Sequence, residues 1–414
     1  MTSRTAGQQD SRTAGQQDSR TAGQQDSRTA GQQDGFSLLL ADSERSRAFV
    51  ARVDAIGDKY FKEVGPKDLA ELRIKSAISK ALMLTGRGLI HLGAVMGSIP
   101  VVCLGAALYG LHSYVEMETL GHDVMHGTYD KLAPPGSRLT SSRFQLPLAV
   151  NERGWMMIHN SHHANTGIVG RDPDVGYSLL RMSSHASWNL SHLASYILFL
   201  LLLPLDALLL AWHSTGIYPR SWEKRTGQAM ATEMTPTVVA ENLWEFARRS
   251  FFGIVQNMLF FPLLTGDGFW LAVIGYIIAY VSTGLLLVTT TTTNHHAANS
   301  RLTLDADASS SRAFWMAQQI ESSSNFKGGF MGRYFASTLA FQIEHHLFPR
   351  MPAGKLAAIS QEIKQVCAEF GIRHHEAAIP LLVLETAWRH FYFSIPPVMS
   401  EWVAKRFPRL RPTG

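Results

Sequence analysis

Four apolar stretches constrain this chain more than any other feature: residues 81–120, 190–212, 251–264 and 269–288, set in 414 residues that are 46% hydrophobic and 17% charged overall. A helix needs about 20 apolar residues to cross the hydrocarbon core of a bilayer. Inside that core every backbone polar group must be satisfied within the chain, so such stretches fold as spanning helices. The first is twice the needed length and is broken at Gly97-Ser98-Ile99-Pro100, which predicts a tight hairpin of two crossings. The last two are separated by Thr265-Gly266-Asp267-Gly268 and predict a second hairpin. The stretch 190–212 carries Pro204 and Asp206, which suit a bent helix that lies in the interface or re-enters rather than crossing. The expected fold is an all-α integral membrane protein with four transmembrane helices in two hairpins, plus interfacial helices.

Three histidine clusters flank these stretches: His122-Asp123-Val124-Met125-His126, His159-Asn160-Ser161-His162-His163, and Gln342-Ile343-Glu344-His345-His346. Residues three and four apart share one face of a helix, so each cluster aims its imidazoles at a single point. The clusters hold seven histidines, and Asn294-His295-His296, at the end of the last apolar stretch, offers His295 as an eighth. Eight ring nitrogens suit two metal ions with about four ligands each. If the clusters share a site they lie on one side of the membrane, so an even number of crossings separates His163 from His295, which the second hairpin provides. Arg138, Arg143, Arg153, Arg171, Lys327 and Arg333 near the clusters place that side in the cytosol. A cytosolic helical cap is therefore expected to hold the centre.

Imidazole serves zinc, copper, nickel and iron alike, so the ring chemistry alone leaves the metal open. Zinc fits poorly: a structural zinc usually recruits cysteine, and a catalytic zinc takes about three protein ligands. The only cysteines, Cys103 and Cys367, are far apart and indicate neither a disulfide framework nor a thiolate site. A metal transporter would place its ligands on broken helices near the bilayer midplane, whereas these clusters sit outside the apolar stretches.

Residues 1–35 are almost entirely four copies of Ser-Arg-Thr-Ala-Gly-Gln-Gln-Asp, starting at Ser3, Ser11, Ser19 and Ser27. One alanine per unit cannot offset the entropy of ordering, so this part reads as a disordered tail without the apolar core of a secretory signal. Residues 36–80 read as amphipathic cytosolic or interfacial helices, with Phe49, Val53, Ile56, Tyr60 and Phe61 at helical spacing. The membrane domain is assigned to 81–394 and a basic C-terminal tail to 395–414. The net charge of +5 needs nothing beyond interfacial cations, and no nucleic-acid partner is expected.

With the motifs in order, the chain resembles the membrane-bound fatty acid desaturases, in the branch whose third histidine box opens with glutamine. The resemblance spans about 88–388 and rests on Gly121 to Gly127, His159 to His163 and Gln342 to Pro349, with Asp172-Pro173-Asp174 and Met351-Pro352 in similar positions. It implies two iron ions, O2 as co-substrate, and removal of two hydrogens from an acyl chain carried on coenzyme A, a carrier protein or a lipid. The implied metal ligands are His122, His126, His159, His162, His163, His295, His345 and His346. Gln342 stands where related enzymes have histidine and takes a supporting or water-mediated role. Asp123, Asp174 and Glu344 are the carboxylates expected to orient imidazoles, since metal-bound histidines usually donate their second N–H to an acceptor. Met125 and Ala340 depart from the family pattern and are expected to reshape the cavity.

The resemblance is to front-end and acyl-lipid desaturases without a fused cytochrome domain, because the chain has no His-Pro-Gly-Gly haem loop. Electrons are then expected from a separate carrier, a ferredoxin- or cytochrome-like protein with its reductase. The basic set Lys355, Lys364, Arg373, Lys405 and Arg406 is a candidate receiving surface. The location implied is a multi-pass membrane, the bacterial inner membrane or, in a eukaryote, the endoplasmic reticulum. Hydroxylases, acetylenases and ketolases built on the same boxes remain alternatives. His91 and His112 read as interior or interfacial histidines of the first hairpin, and His374, His375 and His390 as surface residues. Glu118, four before His122, reads as an interfacial carboxylate with an orienting role as the alternative, and 381–393 as a membrane-surface helix.

Overall fold

A computed structural model describes residues 35–175, 180–226 and 234–413. The octapeptide repeats of 1–34 lie outside the described residues. The chain opens with α1 (Gly35–Ala41) and α2 (Ser43–Phe61), the latter capped by Asp42, whose side chain accepts from the Glu44 and Arg45 amides. The first hairpin is α3 (Pro66–Val95) and α4 (Ile99–Tyr114), reversed at Gly97, whose φ of +66° favours glycine. The arms touch through small residues: a Cβ added at Gly105 would meet the Ile90 amide nitrogen at 2.5 Å. Helix α4 continues through a π-helical turn, Val115–Gly121, into α5 (His122–Met125), which carries the first box.

The second box lies on α6 (Glu152–Asn165), whose N-terminus is capped by Asn151 accepting from the Gly154 amide at 2.8 Å. After β1 (Ile168–Val169) comes α7 (His192–Leu202), a 3-10 turn at Leu203–Leu205 containing Pro204, α8 (Asp206–His213) and α9 (Ile217–Thr226). The second hairpin climbs through α10 (Pro236–Ile254), a π-helical turn at Val255–Phe260 and α11 (Phe261–Leu263), and returns as α12 (Phe269–His296). At 1.5 Å per residue α12 runs about 40 Å, more than the hydrocarbon core needs. The tips of the two hairpins meet, since a Cβ at Gly268 would lie 2.4 Å from the Ala94 carbonyl oxygen. The histidine-bearing ends therefore gather at the opposite pole.

Among the described residues, three helices are long and apolar enough to cross a membrane: Ile99–Met125, His192–His213 and Gly266–His296. The set includes the stretch expected to lie in the interface, whose mean hydropathy of 2.3 is as high as that of any of the three. The partner arms α3 and α10 fall outside it because they carry charges, Lys80 and Arg87 on one and Glu245, Arg248 and Arg249 on the other.

The pole that carries the histidines is closed by a helical layer. It comprises β2 (Thr303–Leu304), α13 (Arg312–Glu321), β3 (Ser324–Lys327), α14 (Phe330–Ala336), α15 (Gln342–Leu347), α16 (Ala353–Phe370) and β4 (His375–Ala378). Two short parallel ladders, β1 with β2 and β3 with β4, tie distant segments together. Phe49, Val53 and Ile56 of α2 are buried against Ile320, Phe326, Ile359 and Ile363 of this layer, each worth about 2 kcal/mol of hydrophobic burial. The chain ends with α17 (Ile379–Ser394), packed on α7 and α12, and α18 (Pro397–Arg406).

His91 and His112 are half-buried, outside both histidine groups, and bonded to the Tyr276 hydroxyl at 3.0 Å and to Ser79 Oγ at 2.8 Å. The expectation for the late histidines fails. His390 is 2% exposed and stacks on Phe199, His374 is buried against Glu344 at 2.8 Å, and His375 is half-buried against Glu385. Long-range packing of α17 and pairing of β4 with β3 cover them, and neither is visible in local sequence.

Candidate metal centre

Helix α6 divides the histidines. Its His159 and His163, four apart, face one way; His162 faces another, so one helix supplies two groups. The first group is His122, His126, His159, His163 and His345, and the second is His162, His295 and His346; within each, one ring nitrogen per residue lies within 4.8 Å of all the others. All eight residues predicted as ligands are thus brought together, in a division of five and three. The groups adjoin, with the rings of His163 and His346 stacked at 4.2 Å.

The donor set fits bound cations. His159 Nε2 lies 3.1, 2.9 and 3.0 Å from the Nε2 atoms of His126, His122 and His163, and His345 Nε2 is 3.2 Å from that of His163. One ring proton can satisfy only one such contact, so a shared cation is the arrangement that gives every nitrogen a partner. Spacings near 3 Å are the edges of a shell with metal–nitrogen bonds of about 2.1 Å. In the second group, His162 and His295 Nε2 are 3.3 Å apart, and the Gln342 side-chain amide lies 3.0 Å from both His295 and His346 Nε2. Gln342 thus occupies the place of a further ligand on the second group, with either its oxygen or a bridging water available to a cation.

Burial, aided by neighbouring rings, holds His126, His159, His163, His345 and His346 well below the ordinary imidazole range, which keeps them neutral and able to bind metal. His162 differs. Burial opposes its charge, but Asp172 and Asp174 outweigh it and raise the ring to about 9.

The supporting residues depart from the sequence expectation. His162 Nδ1 donates to Asp172 Oδ1 at 2.9 Å, with Asp174 Oδ2 farther at 3.3 Å. Asp172, fully buried, is therefore the closer orienting carboxylate, and it also accepts from the Gly167 amide at 2.7 Å. Asp123 is hydrogen-bonded by Thr338 and Glu344 by Asn325 and His374, so neither touches a clustered imidazole. Sequence reasoning also passed over Gln319, which accepts from His346 Nδ1 at 2.8 Å, and Trp155, stacked on His159 at 4.2 Å. Trp155 lies four before His159, a spacing that could have flagged it.

A cavity of about 630 Å³ opens beside both groups, walled by Ile158, Leu202, Leu209, Leu210 and Leu339 and reaching His122, His159, His162 and His295. Glu118 and Asp206 also line it, and Glu118 Oε2 stands 3.6 Å from His122 Nδ1. Met125 and Ala340 are buried elsewhere, so their departures from the family pattern do not bear directly on its wall.

A greasy cavity against a polyhistidine centre is what a lipid-oxidising enzyme requires, and the family model for fatty acid desaturases matches residues 98–378. The chain belongs to the fatty acid desaturase family. It is an oxidoreductase of the kind that introduces double bonds into fatty acids. Among curated desaturases it is similar to an NADPH-dependent stearoyl-CoA 9-desaturase of Mycobacterium tuberculosis, 25% identical over 82% of this chain and 77% of that protein. It is also similar to an sn-1 linoleoyl-lipid 6-desaturase of Arthrospira platensis, 23% identical over 79% and 87% respectively. A Delta(8)-fatty-acid desaturase of Euglena gracilis is 24% identical over 67% of this chain and 66% of its own length. Of the desaturase's basic residues expected to receive a redox partner, Lys355, Lys364 and Arg373 are engaged with Asp68, Glu376 and Glu321, while Lys405 and Arg406 are exposed.

Proposed function

We propose that this desaturase holds two iron ions on its five- and three-histidine groups and uses O2 to desaturate a fatty acyl chain seated in the adjoining cavity. The observation that carries the reading is the convergence of eight imidazole nitrogens in two adjoining groups, four of whose rings, His122, His159, His162 and His295, line a largely apolar cavity. The stoichiometry is balanced when two hydrogens from the acyl chain, two protons, two electrons and one O2 leave as two waters. Bound iron would supply the oxidising power needed to break an unactivated C–H bond.

The residues of the chain supply position and shielding. Ile158, Leu202, Leu209, Leu210 and Leu339 hold the chain and exclude water, so that its methylenes reach the histidine wall in a fixed register. Asp172 Oδ1 accepts the Nδ1 proton of His162 and Gln319 Oε1 that of His346, which leaves each Nε2 lone pair aimed inward. Trp155 fixes the plane of His159 by stacking. Gln342 completes the second group, directly or through water. Asp174 backs Asp172, while Asp123 and Glu344 brace the box helices from behind.

The two hairpins cross the membrane four times, the 192–213 helix lies against them in lipid, and the histidine pole faces the cytosol, where Arg138, Arg143 and Arg153 gather. Electrons come from a separate carrier protein and its reductase. Relatives named for stearoyl-CoA and for linoleoyl lipid leave a coenzyme A thioester and a glycerolipid as the acyl carriers to be tried first. The test is expression with iron and a matched reductase, followed by fatty-acid profiling against His162→Ala. Products lighter by two hydrogens in the wild type alone support the reading; added oxygen in the product replaces desaturation by hydroxylation.

A further inference from the structure

The segment 397–411 lies beyond the part of the chain that the family model matches. Its inner side is pinned at several points. Thr413 pairs through its amide with the Ala298 carbonyl at 2.8 Å, and Arg389 donates to the Thr413 carbonyl at 2.8 Å. The Trp388 indole donates to the Leu410 carbonyl at 2.6 Å. Ala298 lies two residues after His296, so the segment is fixed at the same pole as the histidine groups.

Its outer side is unlike a solvated helix. Val398 is 79% and Trp402 64% exposed, with Met399, Phe407 and Leu410 also turned out. Lys405, Arg406, Arg409 and Arg411 follow, all exposed and without an ion-pair or hydrogen-bond partner among the described residues, against a single carboxylate, Glu401. The apolar face continues on α17, which packs on α7, and the 192–213 helix containing α7 is only 17% buried inside the protein. That helix needs lipid around it, and α17 lies between it and the basic segment, packed on both.

We propose that 397–411 is a foot resting on the headgroup layer of a bilayer that contains anionic phospholipid, with Val398, Met399 and Trp402 dipping below the phosphates and the four cations facing them. Exposed aromatic and aliphatic residues beside unpaired Lys and Arg are the composition of an interfacial anchor, and tryptophan settles at the headgroup level. Anionic lipid answers the unpaired positive charge. An acidic protein would answer the charge but not the continuity of the apolar face with a lipid-facing helix. The inference rests on the reading that the hairpins cross a bilayer, and not on the reaction.

The test takes the full chain in nanodiscs of phosphatidylcholine with phosphatidylglycerol, and reads Trp402 fluorescence as the difference between wild type and Trp402→Phe. A nitroxide on the phosphatidylglycerol should quench that signal roughly threefold more than the same nitroxide on phosphatidylcholine. The preference should vanish at about 1 M salt, where the Debye length falls to about 3 Å. It should also vanish in Lys405→Glu/Arg406→Glu/Arg409→Glu/Arg411→Glu, or be halved in the milder Arg409→Gln/Arg411→Gln should the quadruple variant not fold. Equal quenching by both lipids overturns the anionic preference, and no quenching by either means that a protein or water covers the face. Because the signal needs neither iron nor turnover, its failure leaves the desaturase reading standing. Absence of product with normal quenching strikes only that reading.

Discussion

His162, His295 and His346 each give their Nδ1 proton to the protein, to Asp172, the Ser322 carbonyl and Gln319. His122, His163 and His345, whose rings adjoin them, have no hydrogen-bond partner on Nδ1 among the described residues, and Glu118 stands 3.6 Å from His122. The smaller group is thus held by directed hydrogen bonds and the larger by ring packing, with Trp155 against His159 and His163 against His346. Three ligands need orientation to make a tight site. Five can rely on number, because each remaining ring limits the freedom of the others. The contrast suggests a division of labour in which the second group is preorganised and the first can adjust as substrate and oxygen enter.

Removing a ligand tests both groups at once and carries the largest effect. His162→Ala or His345→Ala should abolish product, and iron analysis of each purified variant should show a deficit; equal retention of two irons in either would break the assignment. Next in size is Arg389→Met. Arg389 is 1% exposed and donates to the carbonyls of Met182, Ala297, Ser300 and Thr413, so the change strips charged donors from buried oxygens at about 1–3 kcal/mol each. The expected outcome is a protein that melts far lower or fails to accumulate, with Arg389→Lys between. Asp172→Ala should weaken iron retention about 10–100-fold in chelator competition, whereas Glu118→Gln should change it no more than about threefold. Similar losses in the two would erase the difference between the groups.

A pH series on the metal-stripped protein sharpens the same contrast. The five depressed imidazoles bind fewer protons folded than unfolded, so stability should fall as pH drops below about 6.5. His162 works in the opposite sense: its raised value adds stability that is complete below 6.5 and is lost as pH rises through about 9. Melting temperatures should therefore decline on both sides of neutrality, steeply in acid and gently in base. Asp172→Asn should remove only the basic decline.

How much of this was readable in advance depends on the residue. The clustered histidines were legible because helical spacing of three and four places rings on one face wherever the helix goes. The hairpins were legible from apolar length and from their glycine-rich turns. The division into five and three was not, because it depends on the angle at which α6 enters between α5, α12 and α15. Glu344 and Asp123 could have been ruled out as partners beforehand. Each is adjacent in sequence to a ligand, and neighbours on a helix do not share a face. Asp172 could not be told from Asp174, since two residues apart in a turn are separated only by the fold around Gly167. The burial of His390 came from α17 packing on α7, a contact between segments with no pattern in common.

The π-helical turn at Val115–Gly121 carries a last consequence. Such a turn accommodates one residue more than an α-helix would, just before His122, and each residue in an α-helix corresponds to about 100° of rotation. The angular setting of the first box therefore depends on the turn staying wide, because the same residues wound as an α-helix would rotate the His122 ring by about 100° away from its companions. Shortening that turn by one position would relax it to an ordinary helix and leave the bearing of the ring nearly unchanged. Point substitutions that keep the turn wide would leave that bearing intact.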